Sequence, residues 1–198
     1  MILNNNETLR SDEARKRLIF TTTPCRVLEE NQLTTPTTRS KRFFDVTRAQ
    51  FAKMALPKVR NMDLFIFPVQ QSGRSYMMTF DLKYNKFFII DICDAEISIK
   101  MKYLSQPNHL KSAVLKRLRD EKHPQAEKVK SMKPEVFKMA WRNKNNKANE
   151  GLYVMRHMET FNGESDWDFG LFKDNEKPLN IMRVKYLHKM LTFQKNEV

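Results

Sequence analysis

The residue types that most often carry enzyme chemistry are few in this chain, which has two cysteines and four histidines. A cysteine nucleophile needs a histidine close enough to take its proton, and neither Cys25 nor Cys93 has one nearby in the sequence. The histidines show no metal-ligand spacing with either cysteine, and two cysteines cannot build a disulfide framework. We therefore predict an intracellular protein of the nucleus or cytoplasm, without a metal or a cofactor.

A carboxylate stands where a polar stretch runs into an apolar helix, in the sequence NNKANEGLYVMRHMETF (145–161). Asn149 is a good residue to cap such a helix. Glu150 then falls in the first turn, where the helix dipole favours a negative charge by about 0.3–1 kcal/mol at an exposed site. His157 lies in the middle of this helix and is expected to be a hydrogen-bonded core histidine.

The remaining candidates for chemistry are weak. Cys93 follows Asp91 by two residues, but a thiol at the end of a strand without a neighbouring histidine is usually inert. Gly73 and Gly163 have the surroundings of turn glycines, and the chain contains no phosphate-binding loop and no dinucleotide-binding fingerprint.

Three strands that follow each other closely are predicted to build the centre of the fold, at 62–69, 75–82 and 86–92. Each is rich in aromatic and branched residues. The links between them are short, which indicates an antiparallel meander. Because the middle strand is apolar on both faces, we expect it to be central and covered on both sides.

Helices are predicted around this sheet, which gives an α+β fold. The stretch 108–122 is amphipathic with Asn108 as cap, and 151–161 is apolar around most of its circumference and therefore buried. The stretch 180–193 is amphipathic, with Asn180 as cap and an inward face made by Ile181, Val184, Leu187 and Leu191. Between them, a further strand is predicted around Val136, Phe137 and Trp141.

The first part of the chain has no steady hydrophobic period. We predict that residues 1–42 form a basic, flexible arm with one short helix between Ser11 and Phe20. A folded domain is then expected over 43–198, beginning with a helix that ends before Pro57.

The net charge of +13 is concentrated, with 14 basic and 4 acidic side chains in residues 100–147. Such a segment could bind a nucleic acid. The other interpretation is an ordinary solvated surface, which the lack of aromatics among the lysines favours. No run of apolar residues reaches the length of a membrane span, so no membrane association is expected.

The run GLYVMRHMETF (151–161) resembles the central helix of the ubiquitin-like-protein-specific cysteine proteases, the SUMO-deconjugating family. It is most similar to the plant branch associated with transposon-derived genes. Trp141–Arg142 matches a pair that precedes the helix in that family, and the three strands resemble its sheet. The resemblance covers about residues 43–198 and implies a papain-like, adenain-like fold, with a mostly antiparallel sheet, a buried central helix and flanking helices. It also implies that the domain is shorter at its N-terminal side than usual.

The resemblance implies a degenerate active site. The family uses a cysteine at the start of a helix, a histidine and an acid. The acid position falls on Asp91, whereas the histidine position falls on Arg74 and the cysteine position on Glu150. Arginine stays protonated, and a carboxylate has no thiolate chemistry. The expectation is an inactive relative in which Asp91 pairs with Arg74.

Further positions of the substrate cleft can be carried over in the same way. The tryptophan that covers the substrate tail corresponds to Ser75, and the glutamine of the oxyanion hole corresponds to Lys144. The other cleft candidates are Trp141, Asn149 and Gly151. The implied partner is a ubiquitin-like protein of the SUMO class or its conjugates.

Two alternatives stay open at this point. One is an active cysteine peptidase that works in proteolysis or SUMO removal through an unrecognised thiol. The other is a basic module that binds nucleic acid through the segment 100–147, together with the first part of the chain.

Overall fold

The computed structural model describes residues 15–29, 35–53, 59–93, 97–142, 147–170 and 176–192. Its centre is a sheet in the spatial order β1 (Arg17–Ile19), β2 (Leu64–Gln71), β3 (Arg74–Asp81), β4 (Lys86–Ile90) and β5 (Pro134–Val136). The three middle strands pair antiparallel, and each edge strand runs parallel to its neighbour. The predicted meander is confirmed, with strand bounds close to those expected.

The turn between β2 and β3 sets the position of β3. Ser72 and Gly73 form a two-residue link, and both have positive φ, 50° and 74°. Such a turn matches the right-handed twist of the flanking strands. It closes on the pair Gln71 and Arg74, so Arg74 becomes the first residue of β3.

Helices cover both faces of the sheet. They are α1 (Thr23–Glu29), α2 (Pro36–Lys53), α3 (Ile99–Tyr103), α4 (Gln106–Asp120), α5 (Ala126–Ser131), α6 (Glu150–Thr160) and α7 (Glu176–Thr192). One core cluster joins α1, α2, α4 and α5 to the side chains of one sheet face, and a second joins α6 and α7 to the other. This arrangement confirms the α+β class, the buried central helix and the flanking helices.

Strand β3 is covered from both sides, as predicted. Met77 and Met78 point to opposite faces, and neither side chain is exposed. Met77 belongs to the cluster under α6, whereas Met78 belongs to the cluster under α4. Successive residues of a strand alternate between faces, so a strand with large apolar residues on both faces needs a layer on each side.

The helix predicted between Ser11 and Phe20 is wrong over its described part. Residues Arg17–Ile19 form β1, which pairs with β2. Leu18 and Ile19 are buried in opposite core clusters, which an edge strand allows and a short surface helix does not. The flexible arm predicted for residues 1–42 therefore does not extend over 17–29, where Cys25 is also in the core. The boundary predicted at residue 42 falls inside α2.

The sequence between α4 and α6 differs in detail from the prediction. Helix α4 starts before Asn108, with Ser105 at its cap position. Residues 126–131 form α5, which was not predicted. The expected strand exists as β5 and ends at Val136, although Phe137 and Trp141 are buried beyond it.

The side of helix α7 that faces the core is not the side that was predicted. Leu179, Met182 and Tyr186 face the core, whereas Ile181, Val184, Leu187 and Leu191 are between 57% and 75% exposed. Apolar residues occupy both sides of this helix, so its sequence does not choose the buried side. Tyr186 decides it, because its hydroxyl reaches Glu159 of α6 at 2.9 Å. Asn180 lies inside the helix and is not its cap.

None of the helices that the structure describes is both long enough and apolar enough to cross a membrane.

Candidate functional site

Three of the residues singled out by the sequence meet at one end of the sheet. Arg74 is the first residue of β3, Asp91 directly follows β4, and Glu150 is the first residue of α6. The antiparallel pairing of β3 with β4 brings the start of one strand beside the end of the other. Helix α6 packs across β3, so its N-terminus lies at the same end.

The predicted pair of Asp91 and Arg74 is confirmed. One guanidinium nitrogen of Arg74, Nη2, donates to both carboxylate oxygens of Asp91, at 3.1 Å and 2.8 Å. Asp91 is completely buried, and the side chain of Arg74 is 24% exposed. Charge-assisted bonds of this kind are stronger than neutral ones. Asp91 also accepts the backbone N–H of Cys93 at 2.8 Å.

Two further residues hold Asp91, and sequence reasoning missed both. Lys102 Nζ lies 3.1 Å from Asp91 Oδ2, and the hydroxyl of Tyr103 donates to the same oxygen at 2.8 Å. Both belong to the short helix α3, whose sequence carries no signal for such a role. Burial and the charge of Asp91 raise the pKa of the Tyr103 hydroxyl, which therefore remains a donor. Arg142 also belongs to the surroundings of Asp91, because its guanidinium donates to the backbone oxygens of Asp91 and Cys93.

Glu150 turns its carboxylate into the same cluster. Its side chain is almost fully buried, and Oε2 accepts the backbone N–H of Ser75 at 2.7 Å. Its other oxygen, Oε1, lies 3.7 Å from Arg74 Nε and has no hydrogen-bond partner. Arg74 is thus shared by two carboxylates, and the start of α6 adds the favourable field of the helix dipole to Glu150.

The charges at this site suppress acid–base chemistry by Arg74. Burial alone would lower the pKa of its guanidinium, but the charge and hydrogen bonds of Asp91 raise it, with smaller contributions from Cys93 and Glu150. The net pKa lies above the ordinary value for arginine, so Arg74 stays a cation. The cluster can hold anionic groups in place, but it contains no imidazole that could take a proton from a nucleophile.

The other cleft candidates occupy different places. Ser75 lies beside Glu150 through its backbone N–H. Asn149 stands at the cap position of α6 but makes no side-chain cap bond, and its Oδ1 accepts from Arg183 of α7. Gly151 is exposed, and a side chain there would meet open space. Lys144 lies outside the described residues.

Trp141 lies in the core, so its indole faces no cleft. It is 7% exposed and packs on Trp167 and Phe169. Its Nε1 donates to His157 Nε2 at 3.2 Å. His157 is fully buried, so the expectation of a hydrogen-bonded core histidine is confirmed. Burial lowers its pKa to about 3, although Asp91 opposes the shift.

This buried histidine predicts a pH dependence of stability. Because its pKa falls from 6.5 unfolded to about 3 folded, the unfolded chain binds its proton first as pH decreases. The associated stability is present above pH 6.5 and is lost progressively below it, by about 2 kcal/mol between pH 7 and pH 5.

We expect the free energy of unfolding of His157→Gln, which keeps an acceptor for Trp141, to fall less than that of the wild type between pH 7 and pH 5. The expected difference is about 2 kcal/mol. Urea unfolding at each pH, followed by tryptophan fluorescence, measures it. Because His109 and His123 are present in both proteins, the difference isolates His157. Parallel pH profiles for the two proteins would contradict the assignment.

The two thiols are not placed for a cysteine–histidine pair. Cys25 belongs to α1 and is buried in the core, and burial raises the pKa of its thiol far above the usual range. Cys93 is half-buried beside Asp91, and no histidine of the described residues hydrogen-bonds to either sulfur. The described residues also contain no group of three or more histidine, cysteine, aspartate or glutamate side chains that could hold a metal ion.

Comparison with known proteins gives a fold and no family by sequence. The chain matches no family model. No curated protein matches it either. Among solved structures it is similar to the C-terminal protease domain of Ulp1 in complex with Smt3, the yeast ortholog of SUMO. That match has a TM-score of 0.62 and 15% identity, over 96% of this chain and 72% of the other.

Other structures with the same fold agree. Ulp1 with its catalytic cysteine oxidised to a sulfonic acid matches with a TM-score of 0.61 and 15% identity, over 96% of this chain and 73% of that one. A de-sumoylating protease matches with a TM-score of 0.55 and 10% identity, over 92% and 61%. The chain therefore has the fold of the Ulp1-type SUMO proteases.

Proposed function

We propose that this chain is a non-catalytic member of the SUMO-protease fold that binds a ubiquitin-like protein of the SUMO class or its conjugates. The fold supports the partner class, because a structure with this fold was solved with Smt3 bound. Membership of the plant, transposon-associated branch rests on the resemblance of the run 151–161 alone.

The observation that carries the proposal is the chemistry at the start of α6. A carboxylate, Glu150, stands at the helix N-terminus, and a guanidinium, Arg74, lies between it and Asp91. In a cysteine protease the same three places would hold a thiolate, an imidazole and an acid. Arg74 cannot take a proton and Glu150 cannot form a thioester, so the cluster supports no acyl transfer.

An active peptidase through another thiol is less well supported. Of the two cysteines, Cys93 lies closer to the cluster around Asp91, because it follows Asp91 by two residues. The backbone oxygen of Cys93 accepts from Lys102 and Arg142. A catalytic thiol needs a base that takes its proton and returns it to the leaving amine. Binding of a polyanion by the segment 100–147 stays a separate prediction that rests on charge alone.

The proposal predicts binding without cleavage. We expect the purified chain to release no product from a SUMO fusion protein over hours, at concentrations where a SUMO protease completes the reaction. We also expect it to shift a defined subset of amide resonances of isotope-labelled SUMO. The first result follows from the missing thiol and imidazole, and the second from the retained fold.

Two controls make the result interpretable. Ubiquitin replaces SUMO as a partner of related fold in the resonance experiment. Cys93→Ser is assayed beside the wild type for cleavage. Cleavage that Cys93→Ser abolishes would overturn the claim of inactivity, and unchanged SUMO resonances at high protein concentration would overturn the claim of binding.

A further inference from the structure

The outward side of α7 is an apolar surface that the domain itself does not cover. Its members are each 48% to 75% exposed: Ile181, Val184, Leu187, Met190 and Leu191. Ile181, Val184 and Leu187 follow each other at three-residue spacing and Leu191 follows Leu187 at four, which puts these four side chains on one helix face. Met190 precedes Leu191 at the edge of that face. Contiguous apolar surface of this kind on a soluble domain usually marks an interaction site. We call these five residues the α7 stripe.

A groove runs beside the stripe. It has a volume of about 360 Å³ and lies between α6 and α7, with Pro178, Ile181, Met182 and Tyr186 as apolar lining. Ile181 belongs to both the stripe and the groove, so the two form one continuous surface. A concave apolar site next to a helix accepts a protruding side chain of another helix.

Positive charge surrounds this surface. On the helix, Arg183 lies at one side of the stripe and Lys185 at the other, and Lys177 lies at its N-terminal end. No carboxylate of the described residues forms an ion pair with any of the three, and the guanidinium of Arg183 donates to the side-chain oxygens of Asn149 and Asn180.

The acidic residue nearest the groove is already neutralised. Glu159 accepts from Arg156 at 2.8 Å, from Tyr186 at 2.9 Å and from Lys189 at 3.1 Å. Glu159 therefore lends no net negative charge to the groove. Glu176, at the first position of α7, is the one exposed carboxylate of this helix, so Lys177, Arg183 and Lys185 leave the rim of the apolar surface net positive.

We propose that the α7 stripe and its groove bind an acidic amphipathic helix of a partner protein. The apolar face of that helix packs on Val184, Leu187 and Leu191 and inserts one side chain into the groove. Its carboxylates pair with Arg183, Lys185 and Lys177. This site is separate from the cluster around Asp91, and the proposal does not depend on SUMO binding.

The charge and shape of the surface favour this occupant over two others. A second copy would bring the same cations against each other, and a standard stable interface buries about 800 Å² on each partner, more than five partly exposed side chains offer. The headgroups of an anionic bilayer would pair with the cations, but the flat surface of a bilayer would leave the groove unfilled.

A designed peptide tests the proposal directly. The probe is a fluorescein-labelled helix of leucine, alanine and glutamate with its leucines on one face, and binding is followed by fluorescence anisotropy. The same composition with leucines scattered around the helix is the control peptide. We expect the striped peptide to bind at least about tenfold more tightly than the scattered one.

Variants of the chain then locate the site. Leu187→Glu is expected to weaken binding of the striped peptide by about tenfold or more. Met101→Glu, which changes an even more exposed apolar residue on α3, is expected to leave it unchanged. The double variant Lys177→Glu/Lys185→Glu should prefer a striped peptide in which lysine replaces glutamate. Because all these side chains are exposed, thermal melts should show that the variants fold.

Three results would each overturn the proposal. The first is equal binding of the striped and scattered peptides, or no binding of either. The second is a wild-type dimer in sedimentation velocity that Leu187→Glu converts to a monomer. The third is binding to phosphatidylserine-containing vesicles that Leu187→Glu abolishes while peptide binding is unaffected.

Discussion

Replacing Asp91 with asparagine is expected to destabilise this protein by about 3 kcal/mol or more, although asparagine has nearly the same shape. The carboxylate is completely buried and compensates the charges of Arg74 and Lys102. Lys102 is only 3% exposed, so it cannot turn to water when its partner is neutralised. Breaking a buried ion pair by removing one member typically costs about 3–5 kcal/mol, because a charge remains buried without compensation.

Urea unfolding, followed by the fluorescence of the two core tryptophans, measures this loss. Asp120→Asn is the matched control, because Asp120 is exposed at the end of α4 and such surface changes usually stay within about 0.5 kcal/mol. Adding Lys102→Met to Asp91→Asn should recover part of the loss, since it removes the uncompensated charge. A cost below about 1 kcal/mol for Asp91→Asn would show that the cluster does not hold the fold together.

The second large effect is expected from placing a thiol at the start of α6. In Glu150→Cys the introduced thiol lies at a helix N-terminus and close to residue 74. We expect Glu150→Cys/Arg74→His to react with iodoacetamide at pH 6 about tenfold faster than Glu150→Cys/Arg74→Gln. A protonated imidazole stabilises the thiolate and lowers its pKa below the usual 8.5 or so, whereas the neutral glutamine side chain does not.

Cys93→Ser is included in both proteins, and Cys25 stays unreactive because burial raises the pKa of its thiol. The difference in rate between the two proteins therefore reports the thiol introduced at position 150. Glu150→Cys with Arg74 retained should also react quickly, because a guanidinium stabilises a thiolate as a fixed positive charge. Equal rates for the histidine and glutamine variants would mean that residue 74 is not positioned to act on residue 150. The present arrangement would then not be that of a protease site with exchanged residues.

The predicted sheet was close to the observed one because its signals are local. Largely apolar residues on both faces of 75–82 require cover on each side, and the short links leave only an antiparallel meander. The edge strands lacked such signals. Arg17–Ile19 becomes a strand because β2 offers it a parallel edge, and that partner lies more than forty residues away in the sequence.

At the candidate site, too, some residues could be predicted from the sequence and others could not. The resemblance of the three strands and of the run 151–161 led to Asp91, Arg74 and Glu150, and the structure brings these three side chains together. Lys102 and Tyr103 were missed, because they belong to a five-residue helix whose role depends on where the chain turns after β4. Trp141 was expected near a cleft, but its packing on Trp167 and Phe169 places it in the core.

The sequence by itself determined the layered α+β fold, the buried helix that begins at Glu150, and the absence of a recognisable cysteine–histidine pair. These follow from periodicity and residue type, which act over a few neighbouring positions. Only the tertiary structure decided which side of α7 is buried and which cations compensate Asp91. Both depend on contacts between segments far apart in the chain, such as the hydrogen bond from Tyr186 to Glu159, and the free energy of such contacts is set by the geometry of the assembled fold.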